Sequence, residues 1–324
     1  MKYRKKLNIL LTIIGILSAA YICGLIFSPE RMLSRVSLFS WLDPKLADSA
    51  EKISISSFSE DTINLIRKNN SWFVLNDEKE YPARQLRVDD FIGILTRRAS
   101  YPLRSSSASN HERLGLDNSN ASRIIVSGPY GQVLLDLLIG YGDMTGQNVY
   151  LRKQGNNEVR SGEDKITVYL SGGLESWYNL RLIPETEDNI LDIDKVQRLS
   201  AYLPSDASDN FADPLIFTRK SRQWTFNRIE DTELDMDKVD VYVRGILYAE
   251  GDGFSSEIDP GDSIFNNSRF ILELGNGVVK TIYLSAADEE NRRYAVVSGT
   301  DSVYTMAGWM ADRFFNTADY FRKE

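Results

Sequence analysis

Few side chains in these 324 residues have a type and spacing that could do chemistry. Carboxylates come in close sets: Asp192 with Asp194, Asp235 with Asp237, and Asp252 with Asp259 and Asp262. Two convergent carboxylates can run acid–base hydrolysis from any two points of a fold. None of these sets follows the calcium-loop order, with its central glycine and terminal glutamate. His111 is the one histidine, in the polar run Ser109-Asn110-His111-Glu112-Arg113. The one cysteine, Cys23, lies far from it in an apolar run, so no Cys/His set with zinc spacing exists. A Ser-His-Asp triad would have to recruit His111 without a Gly-x-Ser-x-Gly elbow. Residues 140–146, Gly-Tyr-Gly-Asp-Met-Thr-Gly, superficially suggest a phosphate loop. Such a loop carries Lys-Ser or Lys-Thr and opens into a helix. A strand-like run follows here, so the glycines are read as a hairpin turn. No catalytic, cofactor-binding or metal-binding residue is assigned. The tryptophans Trp72, Trp177, Trp224 and Trp309 remain, serving either core packing or a sugar-stacking platform.

The elements that must position these residues repeat along the chain. Leu65 to Trp72 (LIRKNNSW) matches Phe217 to Trp224 (FTRKSRQW), each a strand, a polar turn and a Trp-led strand. A helical stripe follows in both: Val88, Phe91, Ile92 and Leu95, then Val239, Tyr242, Val243 and Ile246. Strand runs return in parallel. Arg123-Ile124-Ile125-Val126 matches Arg269-Phe270-Ile271-Leu272, and Val149-Tyr150-Leu151 matches Tyr294-Ala295-Val296. Thr167-Val168-Tyr169 is paired with Ser302-Val303-Tyr304, and the closing Trp177 with Trp309. Gly128-Pro129-Tyr130-Gly131 and Gly275-Asn276-Gly277 read as hairpin connectors. The pattern predicts an α+β fold. It has an N-terminal transmembrane helix, then two repeated units, each a mostly antiparallel β-sheet with one main helix.

Several short segments occur in a fixed order: Tyr81-Pro82 before the helix, Leu114-Gly115-Leu116-Asp117, a Leu-Leu-Ile-Gly strand end from Leu137, and Val149-Tyr150-Leu151-Arg152. In this order and spacing the chain resembles an uncharacterised bacterial domain-of-unknown-function family of membrane-anchored extracytoplasmic proteins. Members of that family accompany gliding-motility-type ABC transporter components. The likeness covers most of residues 53–183 and, more faintly, the second copy. It implies no catalytic residues, and it implies partner membrane proteins such as an ABC permease and its auxiliary subunit.

Leu7 to Phe27 is 21 residues without a charge, about 31 Å as a helix and so enough for a bilayer core. A cationic cluster precedes it. Residues 1–35 carry +5 in a chain whose total is −8, so the remainder carries −13. The N-terminus is therefore expected inside and the bulk of the chain extracytoplasmic, held single-pass in the inner membrane. A cleaved signal peptide and lipidation of Cys23 are the alternatives weighed against this signal-anchor. The acidic body speaks against nucleic acid as a partner. Residues 29–46 carry Met32, Leu33, Val36, Phe39 and Trp41, which either pack on their own domain or meet a membrane subunit. The expected organisation is a tip and anchor at 1–28, a stalk at 29–50, and repeat units at 51–187 and 188–324, with the acidic run Glu185-Thr186-Glu187-Asp188 as linker. The expected function is a non-enzymatic accessory or scaffold subunit of an ABC-type transport or motility assembly. The alternative is an extracytoplasmic glycan- or peptide-binding module.

Overall fold

The computed structural model describes residues 14–18, 21, 38–57, 62–184, 191–205, 208–221, 223–275 and 277–323. Nine strands make the first sheet: β1 (Lys52–Ser56), β2 (Ile63–Lys68), β3 (Ser71–Asn76), β4 (Lys79–Pro82), β5 (Leu103–Ser105), β6 (Ser122–Ser127), β7 (Val133–Gly142), β8 (Asn148–Lys153) and β9 (Val159–Glu163). They lie in the order β4-β3-β2-β1-β6-β7-β8-β9-β5. The chain continues with β10 (Val196–Tyr202) and an inserted ribbon, β11 (Pro204–Ser205) with β12 (Ser208–Phe211). Then come β13 (Leu215–Lys220), β14 (Gln223–Phe226), β15 (Gly253–Ser255), β16 (Ser268–Leu274), β17 (Val279–Leu284), β18 (Arg292–Val297) and β19 (Val303–Ala307). The second sheet is ordered β14-β13-β10-β16-β17-β18-β19-β15. Replacing each strand by its counterpart turns one order into the other, β4 being the strand that the second sheet lacks. Helix α1 (Gln85–Thr96) follows β4, and α2 (Met236–Leu247) follows β14.

Local chemistry explains these elements. Asn69 and Asn70 both sit at positive φ, 48° and 64°, as a two-residue type I′ hairpin turn requires. Alternation buries Ile53 and Ile55 on β1 and Ile124 and Val126 on β6. Asp235 caps α2 by accepting from the Asp237 and Lys238 amides at 3.1 Å. That helix then buries Val239, Tyr242, Val243, Ile246 and Leu247, each contributing about 1.5–3 kcal/mol relative to exposure.

The chain divides into two compact units, Met1–Trp72 with Gln85–Leu174, and Phe73–Arg84 with Glu175–Glu324. Within the first, Leu135, Leu137 and Ile139 face one side of β7 while Leu138 faces the other, and all four are buried. Leu138 joins Leu116 and Val159 in a small second cluster. The second unit repeats this with Phe265, Val296 and Val303. Each sheet is thus covered on its outer face by the loop that follows its short edge strand, β5 or β15.

The expected α+β class is corrected. The described residues are mostly β, 17 strands in two large antiparallel sheets, with α1 and α2 only 12 residues each. The stripes on these helices exist, but each helix spans little more than three turns and serves as a lid on a sheet. The transmembrane helix of that fold class is not supported either. Among the described residues no helix is long and apolar enough to cross a membrane. Of Leu7 to Phe27 only 14–18 and 21 are described; they are helical and exposed, and the rest lies outside the described residues. The linker run at 185–188 lies outside them as well.

Two strand assignments also change. Thr167-Val168-Tyr169 belongs to a 3-10 segment, Asp164–Tyr169, and the counterpart of β19 is β9. The run Val-Arg-Ser-Gly-Glu hides that strand because Ser161 is buried and Gly162 lies under the Tyr101 ring, where a Cβ would come within 2.7 Å. The 38–42 region packs on its own unit. Trp41 and Leu42 are buried, and the Leu42 amide donates to the Leu95 carbonyl at 2.9 Å.

Candidate interaction site

Hairpin geometry places an arginine over a tryptophan in both units. Arg67 on β2 lies 5.9 Å from the Trp72 ring, and Arg219 on β13 lies 5.4 Å from the Trp224 ring. A hollow opens beside each, about 240 Å³ near Arg67, Asp48, Glu51 and Asn70, and about 330 Å³ near Arg219, Asp194 and Gln197. Both guanidinium groups are already engaged. Arg67 donates to the Asp48 carbonyl at 2.9 Å. Arg219 donates to the Ile193 carbonyl and to the Asp194 carboxylate, both at 2.6 Å. These arginines tie the chain entering each sheet to its first hairpin.

Three of the short segments singled out in the sequence, at 114–117, 137–140 and 149–152, converge at one place in the first unit, whereas Tyr81-Pro82 belongs to the second. Arg152, 7% exposed, donates to the Leu116 carbonyl at 2.9 Å and to the Asn156 carbonyl at 3.0 Å. Burial pulls its pKa down, and the Asp136 charge opposes that shift. Gly140 passes so close to the Leu114 carbonyl that a Cβ would collide with it, and Gly115 turns at φ 69° against the Tyr141 ring. Leu-Gly-Leu-Asp, Leu-Leu-Ile-Gly and Tyr-Leu-Arg are therefore three sides of one structural knot.

The carboxylates singled out from the sequence mostly hold backbone. Asp192, Asp259 and Asp262 accept from the amides of Asp194, Gly261 and Ile264. Asp252 holds the Thr305 hydroxyl and the Ala307 amide. Asp194 pairs with Arg219, as above. His111 Nε2 lies 3.2 Å from the Asn157 carbonyl. Residues 140–142 end β7, and 143–147 form the β7–β8 turn. Asp143 accepts from the Thr145 hydroxyl at 2.6 Å and the Asn148 amide group at 2.9 Å, which lowers its pKa to about 2. Among the described residues no group of three or more His, Cys, Asp or Glu side chains could hold a metal ion.

The tryptophans separate into two kinds. Trp41, Trp72, Trp177 and Trp224 are buried, while Trp309 is 74% exposed on the short helix Gly308–Ala311. The sequence pairing of Trp177 with Trp309 fails in space. The Arg84 amide donates to the Trp177 carbonyl at 2.8 Å and the Asp235 amide to the Phe321 carbonyl at 2.9 Å, so buried Phe321 is the counterpart of Trp177. Asn291 packs its carboxamide against Gly308, beside Trp309. Sequence reasoning missed Trp309 as the exceptional tryptophan because recurrence along the chain masked its different element. Comparison with protein-family models, with curated proteins and with solved structures finds no match to this chain.

Proposed function

We propose that this chain is a non-enzymatic accessory subunit of a membrane assembly, and that its β body docks partner proteins through the surface around Trp309. The carrying observation is that four of the five tryptophans are buried and Trp309 stands exposed. A large aromatic ring that has left the core is a typical anchor for a partner surface. The use of the paired carboxylates as caps and backbone braces supports a structural role for them. The uncharged stretch Leu7 to Phe27 behind a cationic tip supports a place at the inner membrane, with the body outside the cytoplasm. The family resemblance supports an ABC permease and its auxiliary subunit as partners.

Co-purification from membranes in mild detergent tests this reading. The natural chain is expected to bring partner membrane proteins with it, and Trp309→Ala to lose them without loss of folding. A chain recovered alone while genes for an ABC permease and its auxiliary subunit are expressed with it overturns the proposal. The exposed Trp309 ring, with the Asn291 carboxamide packed on the preceding Gly308, favours a second reading, a platform for an envelope glycan. Saturable quenching by cell-wall oligosaccharides, absent in Trp309→Ala, would select it.

A further inference from the structure

The second unit shows how one edge strand is finished, and among the described residues the equivalent strand of the first unit has no such cover. In the second unit Phe254 on β15 pairs with Tyr304 on β19. The hairpin Phe73–Arg84, which belongs to this unit, lays Tyr81 on the Phe254 ring at 4.6 Å, and Tyr178 stands edge-on at 5.0 Å. Tyr81 and Tyr178 are only 4% and 5% exposed as a result. In the first unit the same position on β5 is Leu103, paired with Arg160 on β9. The Arg160 guanidinium covers the Phe39 ring at 5.0 Å, and Phe39 meets Tyr101 at 5.0 Å. No hairpin covers this seat among the described residues. Leu103 is 44% exposed and Leu38, beside Phe39, is 53% exposed.

We infer that this seat in the first unit takes an aromatic side chain presented by a β-hairpin of a partner protein. The inference rests on the docking reading above and names a second surface for it. The bound partner would do for Leu103 and Phe39 what Tyr81 does for Phe254. β5 is three residues long with a register shift between Leu103 and Ser105, and a short, irregular edge resists strand addition. Recognition therefore runs through the ring and the apolar seat, with Arg160 offering its guanidinium face.

The test uses a cyclised peptide with the sequence of residues 73–84, titrated into the full chain while the Trp41 indole is followed by NMR. Trp41 lies 5.1 Å from both Phe39 and Tyr101, so it reports on the seat. A saturable shift is expected with a dissociation constant of about 0.01–1 mM. Leu103→Glu should weaken it about tenfold or more with the melting temperature unchanged, and the Tyr81→Ala peptide should not bind. A chain carrying Trp309→Ala should bind the peptide like the natural one, which separates this seat from the surface proposed above. Absence of saturation, as when the chain's own N-terminal residues fill the seat, overturns the inference. So does equal binding to Leu103→Glu.

Discussion

Gln85 does at one point what a neighbouring strand does elsewhere. Its side-chain amide donates to the Trp72 carbonyl at 2.9 Å, and its oxygen accepts from the Trp72 amide at 2.9 Å. Gln85→Ala leaves both backbone groups beside a buried tryptophan without these partners, and is expected to lower unfolding free energy by about 1–3 kcal/mol in urea titrations. The counterpart in the second unit is Met236, a difference invisible to a search for apolar periodicity. Asp143 offers a pH-dependent case. Its pKa falls from the ordinary 3.8 to about 2, first through the Thr145 hydroxyl and then through the Asn148 amide group. A carboxylate with a depressed folded pKa stabilises above the unfolded value, and that contribution disappears as pH falls through the folded value. The β7–β8 turn should therefore hold at pH 5 and loosen between about pH 4 and 2, read from the Thr145 and Asn148 amide shifts. Asp143→Asn should flatten that dependence.

At the scale of elements, Arg152 joins β8 to the loop that covers the outer face of the first sheet. Arg152→Met keeps the bulk but leaves the Leu116 and Asn156 carbonyls without their donor. The expected loss is about 2–4 kcal/mol, with hydrogen exchange accelerating across residues 111–117 before the sheet itself opens. Much of this level was legible beforehand. The hairpin of LIRKNNSW, the helix stripes and the glycine turns all announce themselves by period and turn chemistry. Other features were hidden for definite reasons. β9 reads as polar because beside Val159 its buried positions are Ser161, on one face, and Gly162, beneath Tyr101 on the other. Trp309 looked like a repeat of Trp177 because position along the chain does not report which element carries a ring. The seat at Leu103 and Phe39 could not be read at all, since its parts come from residues 38–39, 101–103 and 160.

For the whole molecule, the second unit is discontinuous: Phe73–Arg84 belongs with Glu175–Glu324. A fragment of residues 175–324 lacks Tyr81 and so uncovers Phe254. It is expected to melt below the intact chain and to bind a hydrophobic dye, and adding residues 73–84 in trans should reverse part of both effects. Equal melting of fragment and chain would show that the hairpin contributes nothing to this unit. The strand order of the sheets could be anticipated only as a tendency for adjacent strands to pair. The path of Phe73–Arg84 could not, because its β3 and β4 alternate like any surface hairpin.

The segment at residues 177–182 has a mechanical consequence. On one flank the Arg84 and Asn179 amides bond to the Trp177 and Pro82 carbonyls at 2.8 Å, and on the other the Leu182 and Gly251 amides bond to the Ala249 and Leu180 carbonyls at 2.9 and 2.8 Å. A strip gripped along both margins does not unzip one link at a time when tugged lengthwise; the links shear together. Stretched between two anchorages, this stretch of backbone would behave as a rivet rather than a leash.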